Sequence, residues 1–275
     1  MIYDETVCAL GEGPLWHPLR EQFFWFDILG MRLHTKDKTW QFDEHISAAG
    51  WVDEETLLIA SETQLFTFNL ETEEEIYVHH LESENEVTRS NDGRADPQGG
   101  FWIGTMGKNA EPKAGAIYRY YRGELRKIVR DITITNAICF APDGNTAYYC
   151  DTLQRQIMAT DLDEDGWPTG APRIHIDVNQ ETFGADGAVV DASGNLWNAQ
   201  WGASRVAQYG PDGTFIDAVA FPASQTSCPA FGGKDLMTLY CTSATQGMDN
   251  PGPDDGKTFA VKTSVIGQAE HRVIL

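Results

Sequence analysis

The chain has 275 residues, and 41% of them are hydrophobic, which is enough for a large core and argues against intrinsic disorder. Its 41 acidic residues outnumber 20 basic ones and give a formal charge of -21. Nucleic acids and anionic membranes are bound through basic patches, so we expect neither as a partner. Because no segment approaches the roughly 20 apolar residues of a membrane span and no secretory signal follows Met1, we expect a cytoplasmic protein.

Six similar units follow one another along the chain. Each unit reads as a short apolar strand, a tight turn and a second apolar strand, usually followed by a more polar strand. The units begin at GEGPLWHP, SAAGWVDE, SNDGRADP, TNAICFAP, GADGAVVD and TSCPAFGG. Turns such as Pro142-Asp143-Gly144-Asn145 contain the Gly and Asn residues that hairpin turns need. These units therefore predict six small antiparallel sheets.

A repeat of roughly 45 residues built from several strands is typical of a β-propeller, because neighbouring sheets must cover the faces of each blade. We predict an all-β fold, a six-bladed β-propeller of four-stranded antiparallel sheets, as a single domain over residues 1–275. The N-terminal stretch Glu5 to Ala9 is predicted to complete the last blade. The tryptophans beside the inner strands are predicted to pack between blades; they are Trp16, Trp25, Trp102, Trp197 and Trp201. The alternative for one of them is to line the channel mouth, where its ring can stack on a ligand.

Matching positions in the units suggest an axial site. The innermost strands of a propeller line its central channel. Aligning the units on their turns superposes Glu12, Ala48, Asn91, Asn136, Asp186 and Ser227, with the second and last assigned to within one residue. Four of these are carboxylate or amide side chains, whose oxygens suit a hard cation. The pattern predicts an axial metal site.

The five cysteines form an odd set without CxxC spacing, which fits reduced thiols. Cys139 and Cys150 flank one predicted hairpin, and Cys228 and Cys241 flank another, so a cross-strand disulfide is the alternative for either pair. Buried thiols are the expectation.

Several common catalytic and metal motifs are absent. The chain has no GxSxG nucleophile turn, no HExxH zinc motif and no glycine-rich phosphate loop. The run Asp161 to Gly166 matches the first half of an EF-hand loop, but its twelfth position is Pro172, which cannot supply the bidentate glutamate. An exposed acidic turn is the expectation there.

Five motifs, in order along nearly the whole chain, carry a family resemblance. They are Gly11 to Trp16, Arg89 to Gly93 with Gly104-Thr105-Met106, Ile134 to Asn136, Ala185 to Gly187, and Ala230 to Gly233 with Leu239-Tyr240. With these motifs the chain resembles the senescence-marker-protein/gluconolactonase/luciferin-regenerating-enzyme family.

The resemblance implies a six-bladed propeller with one divalent cation, Ca²⁺, Zn²⁺, Mn²⁺ or Mg²⁺, in its channel. The implied metal ligands are Glu12, Asn136 and Asp186, and the implied substrate-binding residues are Arg89 and Asn91, with direct metal ligation by Asn91 left open. Asp186 is also implied in proton transfer, and family members commonly hydrolyse lactones of sugar acids. The family's usual Asn-Gly is Asn136-Ala137 here, which is expected to place a methyl group beside the metal, and its usual Pro-Asp-Gly is Ala185-Asp186-Gly187.

The residues themselves also support lactone opening. Two carboxylates neutralise a divalent cation and amide oxygens add neutral ligands, so coordination positions remain for water and substrate. A cation placed there polarises an ester carbonyl, and Asp186 can accept the proton of the attacking water. The loop with Lys108, Asn109 and Lys113 is a candidate lid.

We therefore predict a sugar lactonase of carbohydrate catabolism, a metal-dependent hydrolase that opens a small-molecule sugar-acid lactone and is a monomer or a weak homo-oligomer. Hydrolysis of other esters or phosphotriesters is one alternative. A non-catalytic, cation-binding propeller is the other.

Overall fold

The computed structural model describes residues 1–275 and confirms the predicted fold class: six four-stranded antiparallel sheets in a propeller arrangement. The first half of the chain contains β1 (Ile2–Asp4), β2 (Gly11–His17), β3 (Gln22–Asp27), β4 (Arg32–Thr35), β5 (Lys38–Gln41), β6 (Ile46–Trp51), β7 (Thr56–Ser61), β8 (Gln64–Asn69), β9 (Glu75–His80), β10 (Thr88–Ala95), β11 (Phe101–Gly107), β12 (Gly115–Tyr121) and β13 (Glu124–Ile132). The second half contains β14 (Thr135–Phe140), β15 (Thr146–Asp151), β16 (Gln156–Leu162), β17 (Pro168–Asp177), β18 (Gly184–Val190), β19 (Leu196–Trp201), β20 (Arg205–Tyr209), β21 (Phe215–Ala220), β22 (Thr226–Gly232), β23 (Thr238–Ser243) and β24 (Thr258–Lys262).

Strands β2 to β21 form blades 1 to 5, with four consecutive strands in each. The inner strands of every blade are buried, whereas the outermost ones, such as β9 and β21, are largely exposed. This gradient explains much of the sequence pattern, because the inner strands are covered on both faces, whereas the outermost strands face solvent. Four of the five predicted packing tryptophans are buried: Trp16, Trp25, Trp102 and Trp197.

Blade 6 is completed from both ends of the chain. Its strand order is β22, β23, β24 and then β1, and Ile2 pairs with Phe259. The N-terminus thus closes the ring, but through Ile2–Asp4 and not through Glu5 to Ala9 as predicted. Residues 5–9 instead cross from blade 6 to blade 1, and the backbone N–H of Cys8 donates to the carbonyl of Gly256 on the way.

In every blade, the pairing of the innermost strand with its neighbour is irregular near the first residues of the innermost strand. The register shifts within β2, β6, β10, β14, β18 and β22, next to the positions aligned from the sequence. A bulge leaves residues unpaired and re-aims their side chains, and such bulges are common beside active sites. The repeated bulge brings polar side chains into the channel at one end.

The C-terminal segment, residues 264–275, crosses the other end of the channel. Gln268 Nε2 donates to the carbonyls of Phe140 and Val190, at the far ends of β14 and β18. Glu270 forms a buried ion pair with Arg94 of β10, and the N–H of Ile274 donates to the carbonyl of Gly99. The segment therefore covers the end of the channel opposite the bulges.

All five cysteines are buried and free, as expected. The helical content is one 3-10 turn, η1 (Thr152–Gln154). No helix has the length and apolar character needed to span a membrane.

Candidate active site

A cavity of about 590 Å³ opens at the bulged end of the channel. The strand starts of four blades line it and contribute all five predicted site residues: Glu12, Arg89, Asn91, Asn136 and Asp186. Residues separated by more than 170 positions in the chain thus meet at one place. The two remaining aligned positions do not line the cavity, because Ala48 packs in the core and Ser227 donates a hydrogen bond to the carbonyl of Gly11.

Two buried carboxylates face this cavity without a salt-bridge partner. Glu12 and Asp186 are each 4% exposed, and neither forms a salt bridge. Burial, with the nearby charge of Asp92 adding to it, raises the pKa of Glu12 to about 8. Burial and then the charge of Glu12 raise the pKa of Asp186 well above its usual range. A bound cation would favour the ionised form of both groups.

A chain of hydrogen bonds fixes the amide groups of the site across blades 3 to 5. Arg89 Nη1 donates to Asn91 Oδ1 at 2.7 Å, and Asn91 Nδ2 donates to Asn136 Oδ1 at 3.2 Å. Asn136 Nδ2 donates to Thr152 Oγ1 at 2.9 Å, which in turn donates to the carbonyl of Ala185 at 2.9 Å. This chain holds the orientation of Asn136, whose Oδ1 keeps one lone pair free for a further partner.

Arg89 is a buried cation with no carboxylate partner within salt-bridge distance. It is 3% exposed, its Nη1 also donates to the carbonyl of Ser90, and its Nε has no partner. Burial lowers the pKa of Arg89 to about 10, and the carboxylates of Glu12 and Glu62 oppose that shift, so the group stays charged at neutral pH. Its free donors suit an oxygen-rich ligand in the cavity.

Two residues next to the ligand positions hold the fold together and do not line the cavity. Asp92 Oδ2 accepts a hydrogen bond from the backbone N–H of Ile138 at 2.7 Å, which ties β10 to β14, and burial raises its pKa to about 6. Ala137 adopts a φ of 57° in the bulge and belongs to a buried apolar cluster with Cys139 and Ala185. Ala137 does not line the cavity, and the methyl group beside the metal stays a prediction.

Loops between strands supply the rest of the cavity wall. Of the candidate lid residues, Lys108 and Asn109 line the cavity, but Lys113 does not. Lys108 Nζ lies 3.2 Å from Glu62 Oε1, and Glu62 also holds His45. The residues that sequence reasoning did not assign to the site are Leu10, Met106, Ala110, Ile134, Thr152, Leu153 and Gln246, and Trp201 lines the cavity although inter-blade packing was predicted for it. Thr152 could have been found from the repeat, because it follows a second strand and so returns to the same end as the strand starts.

The chain matches a family of known proteins over most of its length. The family model for the SMP-30/Gluconolactonase/LRE-like region matches residues 10–245. A protein of Rhizobium meliloti (strain 1021), provisionally named a sugar lactone lactonase, is 43% identical over 277 residues, which cover 97% of this chain and 94% of that protein. The L-arabinolactonase of Azospirillum brasilense is 35% identical over 98% of this chain and 93% of its own length.

A solved structure resembles the whole chain. The crystal structure described as a calcium-binding protein, regucalcin, from Agrobacterium tumefaciens strain C58 superposes with a TM-score of 0.97 at 39% sequence identity. The match covers 100% of this chain and 97% of the other.

Proposed function

The chain belongs to the SMP-30/gluconolactonase/LRE-like family, and from this premise we propose that it is a metal-dependent hydrolase that opens the lactone ring of a sugar acid. The names of the Rhizobium and Azospirillum relatives support the lactonase activity. The observation that carries the proposal is the pair of buried carboxylates without salt-bridge partners in a polar cavity of about 590 Å³.

The residues present fit a divalent cation. Glu12 and Asp186 supply two negative charges, and Asn136 adds a neutral oxygen whose direction is fixed by its hydrogen bonds to Asn91 and Thr152. Carboxylate and amide oxygens suit Ca²⁺, Mg²⁺ or Mn²⁺ better than softer metals. When bound, such a cation polarises the ester carbonyl and lowers the pKa of water beside it.

Asp186 is the proposed general base. Its carboxylate accepts a proton from the water that attacks the lactone carbonyl, and it returns that proton to the ring oxygen as the C–O bond breaks. Asn198 Nδ2 donates to the backbone carbonyls of Asp186 and Gly187 at 2.8 and 3.1 Å, which holds the bulge that carries this carboxylate. The Asn198 side chain thus fixes the backbone at Asp186, and the side chain of Asp186 faces the cavity.

Arg89 and Asn91 are the proposed substrate-binding residues. Arg89 lines the cavity, and its Nη1 donates to protein groups, which leaves Nη2 for the carbonyl or hydroxyl oxygens of the sugar. Asn91 uses both amide hydrogens on Thr135 and Asn136, so only its Oδ1 is left to accept a bond from a sugar hydroxyl. Asn91 therefore acts mainly by holding Asn136 and Arg89 in position.

The test is acid release from a panel of five- and six-carbon aldonolactones by metal-free protein and by protein with added Ca²⁺, Mg²⁺ or Mn²⁺. We expect hydrolysis only with a cation and its loss in Asp186→Asn, whereas Asp37→Asn, in an exposed turn, keeps wild-type activity. No cation-dependent rate above spontaneous opening would refute the lactonase. In that case the same assay with aryl esters and phosphotriesters distinguishes another hydrolase from a cation-binding propeller.

A further inference from the structure

A second cluster of metal-ligating side chains lies outside the channel, in blade 1. Cys8, Asp27 and His34 place a thiol sulfur, a carboxylate oxygen and an imidazole nitrogen within 4.8 Å of one another. All three residues are buried, with exposures of 0%, 4% and 2%. They come from the N-terminal crossing segment, the end of β3 and the middle of β4. None of the three lines the large cavity.

One polar atom of this cluster lacks the partner that a buried atom normally has. His34 Nδ1 is hydrogen-bonded to Thr39 Oγ1 at 2.9 Å, but His34 Nε2 is buried without any partner. The indole of Trp25 stacks on the His34 ring, with centroids 5.5 Å apart. Buried polar atoms are almost always satisfied, so an orphaned nitrogen on an imidazole that shares a cluster with a thiol and a carboxylate points to a missing ligand.

The Asp27 carboxylate is held rigidly by the backbone. Its Oδ1 accepts from the N–H groups of Leu10 and Gly30 at 3.0 and 3.2 Å, and its Oδ2 accepts from Ala9 at 3.2 Å. Each carboxylate oxygen has two acceptor sites, so Oδ2 keeps one lone pair. Hydrogen bonds of this kind commonly orient a metal-bound carboxylate.

We propose that Cys8, Asp27 and His34 bind a zinc ion. One sulfur, one imidazole nitrogen and one carboxylate oxygen form a donor set typical of zinc, whereas Ca²⁺ and Mg²⁺ take oxygen ligands. A Cys8 thiolate and the Asp27 carboxylate balance the charge of Zn²⁺, and neutral His34 binds through Nε2 while its Nδ1–H donates to Thr39. The fourth position is filled by water, because both acceptor sites of Asp27 Oδ1 are used by backbone N–H groups.

The position of the cluster indicates a structural ion. Cys8 lies in the segment that joins β1, the strand closing blade 6, to β2 of blade 1. An ion shared with Asp27 and His34 fastens this segment to blade 1 next to the closure of the ring. This site is independent of the proposed lactonase chemistry, and its loss should lower thermal stability without changing the turnover number.

The experiment uses cobalt and zinc on the full chain carrying Glu12→Gln, so that the axial site does not contribute. We expect Co²⁺ to give a thiolate-to-metal charge-transfer absorption that disappears in the Cys8→Ser double variant. Cys139→Ser, which alters another fully buried cysteine, is the matched control and keeps the band.

A second measurement uses the Glu12→Gln protein with Cys8 intact, so its result does not depend on whether the Cys8→Ser variant folds. Zinc-edge X-ray absorption of this protein loaded with one equivalent of Zn²⁺ is expected to show one sulfur at about 2.3 Å. A zinc environment of nitrogen and oxygen alone, or a cobalt band that persists in Cys8→Ser, would overturn the proposal.

Discussion

Replacing Glu12 by glutamine is expected to stabilise the metal-free protein near pH 8 and to remove most of its response to a divalent cation. Burial and the nearby Asp92 raise the pKa of Glu12 from 4.5 to about 8, so the folded chain holds a proton that the unfolded chain releases. A raised carboxyl pKa means that stability is highest below pH 4.5 and declines as the pH rises to about 8. Glutamine has nearly the same volume as glutamate but does not ionise, so the variant does not lose stability at position 12 as the pH rises.

The size of the effect follows from the pKa difference. At about 1.4 kcal/mol per pKa unit, linkage gives at most about 4 kcal/mol at pH 8 and under about 1 kcal/mol at pH 5. For a chain of this size, 1 kcal/mol corresponds to roughly 2 °C in Tm. Metal-free Glu12→Gln should therefore melt up to about 8 °C above the wild type at pH 8 and within about 2 °C of it at pH 5.

Thermal unfolding followed by circular dichroism between pH 5 and 8, with a chelator present, measures this difference. Glu86→Gln, at an exposed loop position, is the control and should follow the wild type at every pH. Added cation then stabilises the wild type in proportion to the logarithm of its concentration but has little effect on Glu12→Gln. If the difference in Tm between Glu12→Gln and the wild type does not change with pH, or if the variant is less stable at pH 8, the electrostatic explanation is refuted.

Three further outcomes are expected. Arg89→Met should raise KM roughly 10-fold or more in steady-state kinetics, because it removes a charged donor from the cavity wall; an unchanged KM would contradict its role in substrate binding. Glu270→Gln leaves Arg94 buried without its countercharge and should cost about 3 kcal/mol in a denaturant titration, whereas wild-type stability of this variant would show that the charge of Glu270 is dispensable. Deleting residues 1–4 uncovers the edge of β24 and should lower Tm and promote association in size-exclusion chromatography, and a monomer of wild-type Tm would show that β1 does not secure the ring.

The sequence was most informative where local chemistry repeats. Hairpin turns and apolar inner strands recur six times, so blade number and strand order could be predicted without long-range information. The convergence of Glu12, Asn136 and Asp186 could be predicted for the same reason, since equivalent positions of blades meet at the axis.

Features that depend on distant or irregular contacts could not be predicted. The three residues of β1 have no distinctive pattern, and their partner β24 begins more than 250 residues later, so the closing strand was placed a few residues too late. The environment of Ala137 depends on a positive φ within the bulge, which alternation rules do not describe. The position of Thr152 follows from the repeat, but its hydrogen bonds to Asn136 and Ala185 are seen only in the structure.

The C-terminal segment has a kinetic consequence. Because residues 264–275 cover the far end of the channel, we expect the lactone to enter and the hydroxy acid to leave at the bulged end, where the cavity opens. The product carries a carboxylate, and the positive charge of Arg89 lies in the cavity wall. We therefore expect the sugar acid to compete with its own lactone, so that turnover slows as product accumulates even while substrate remains abundant.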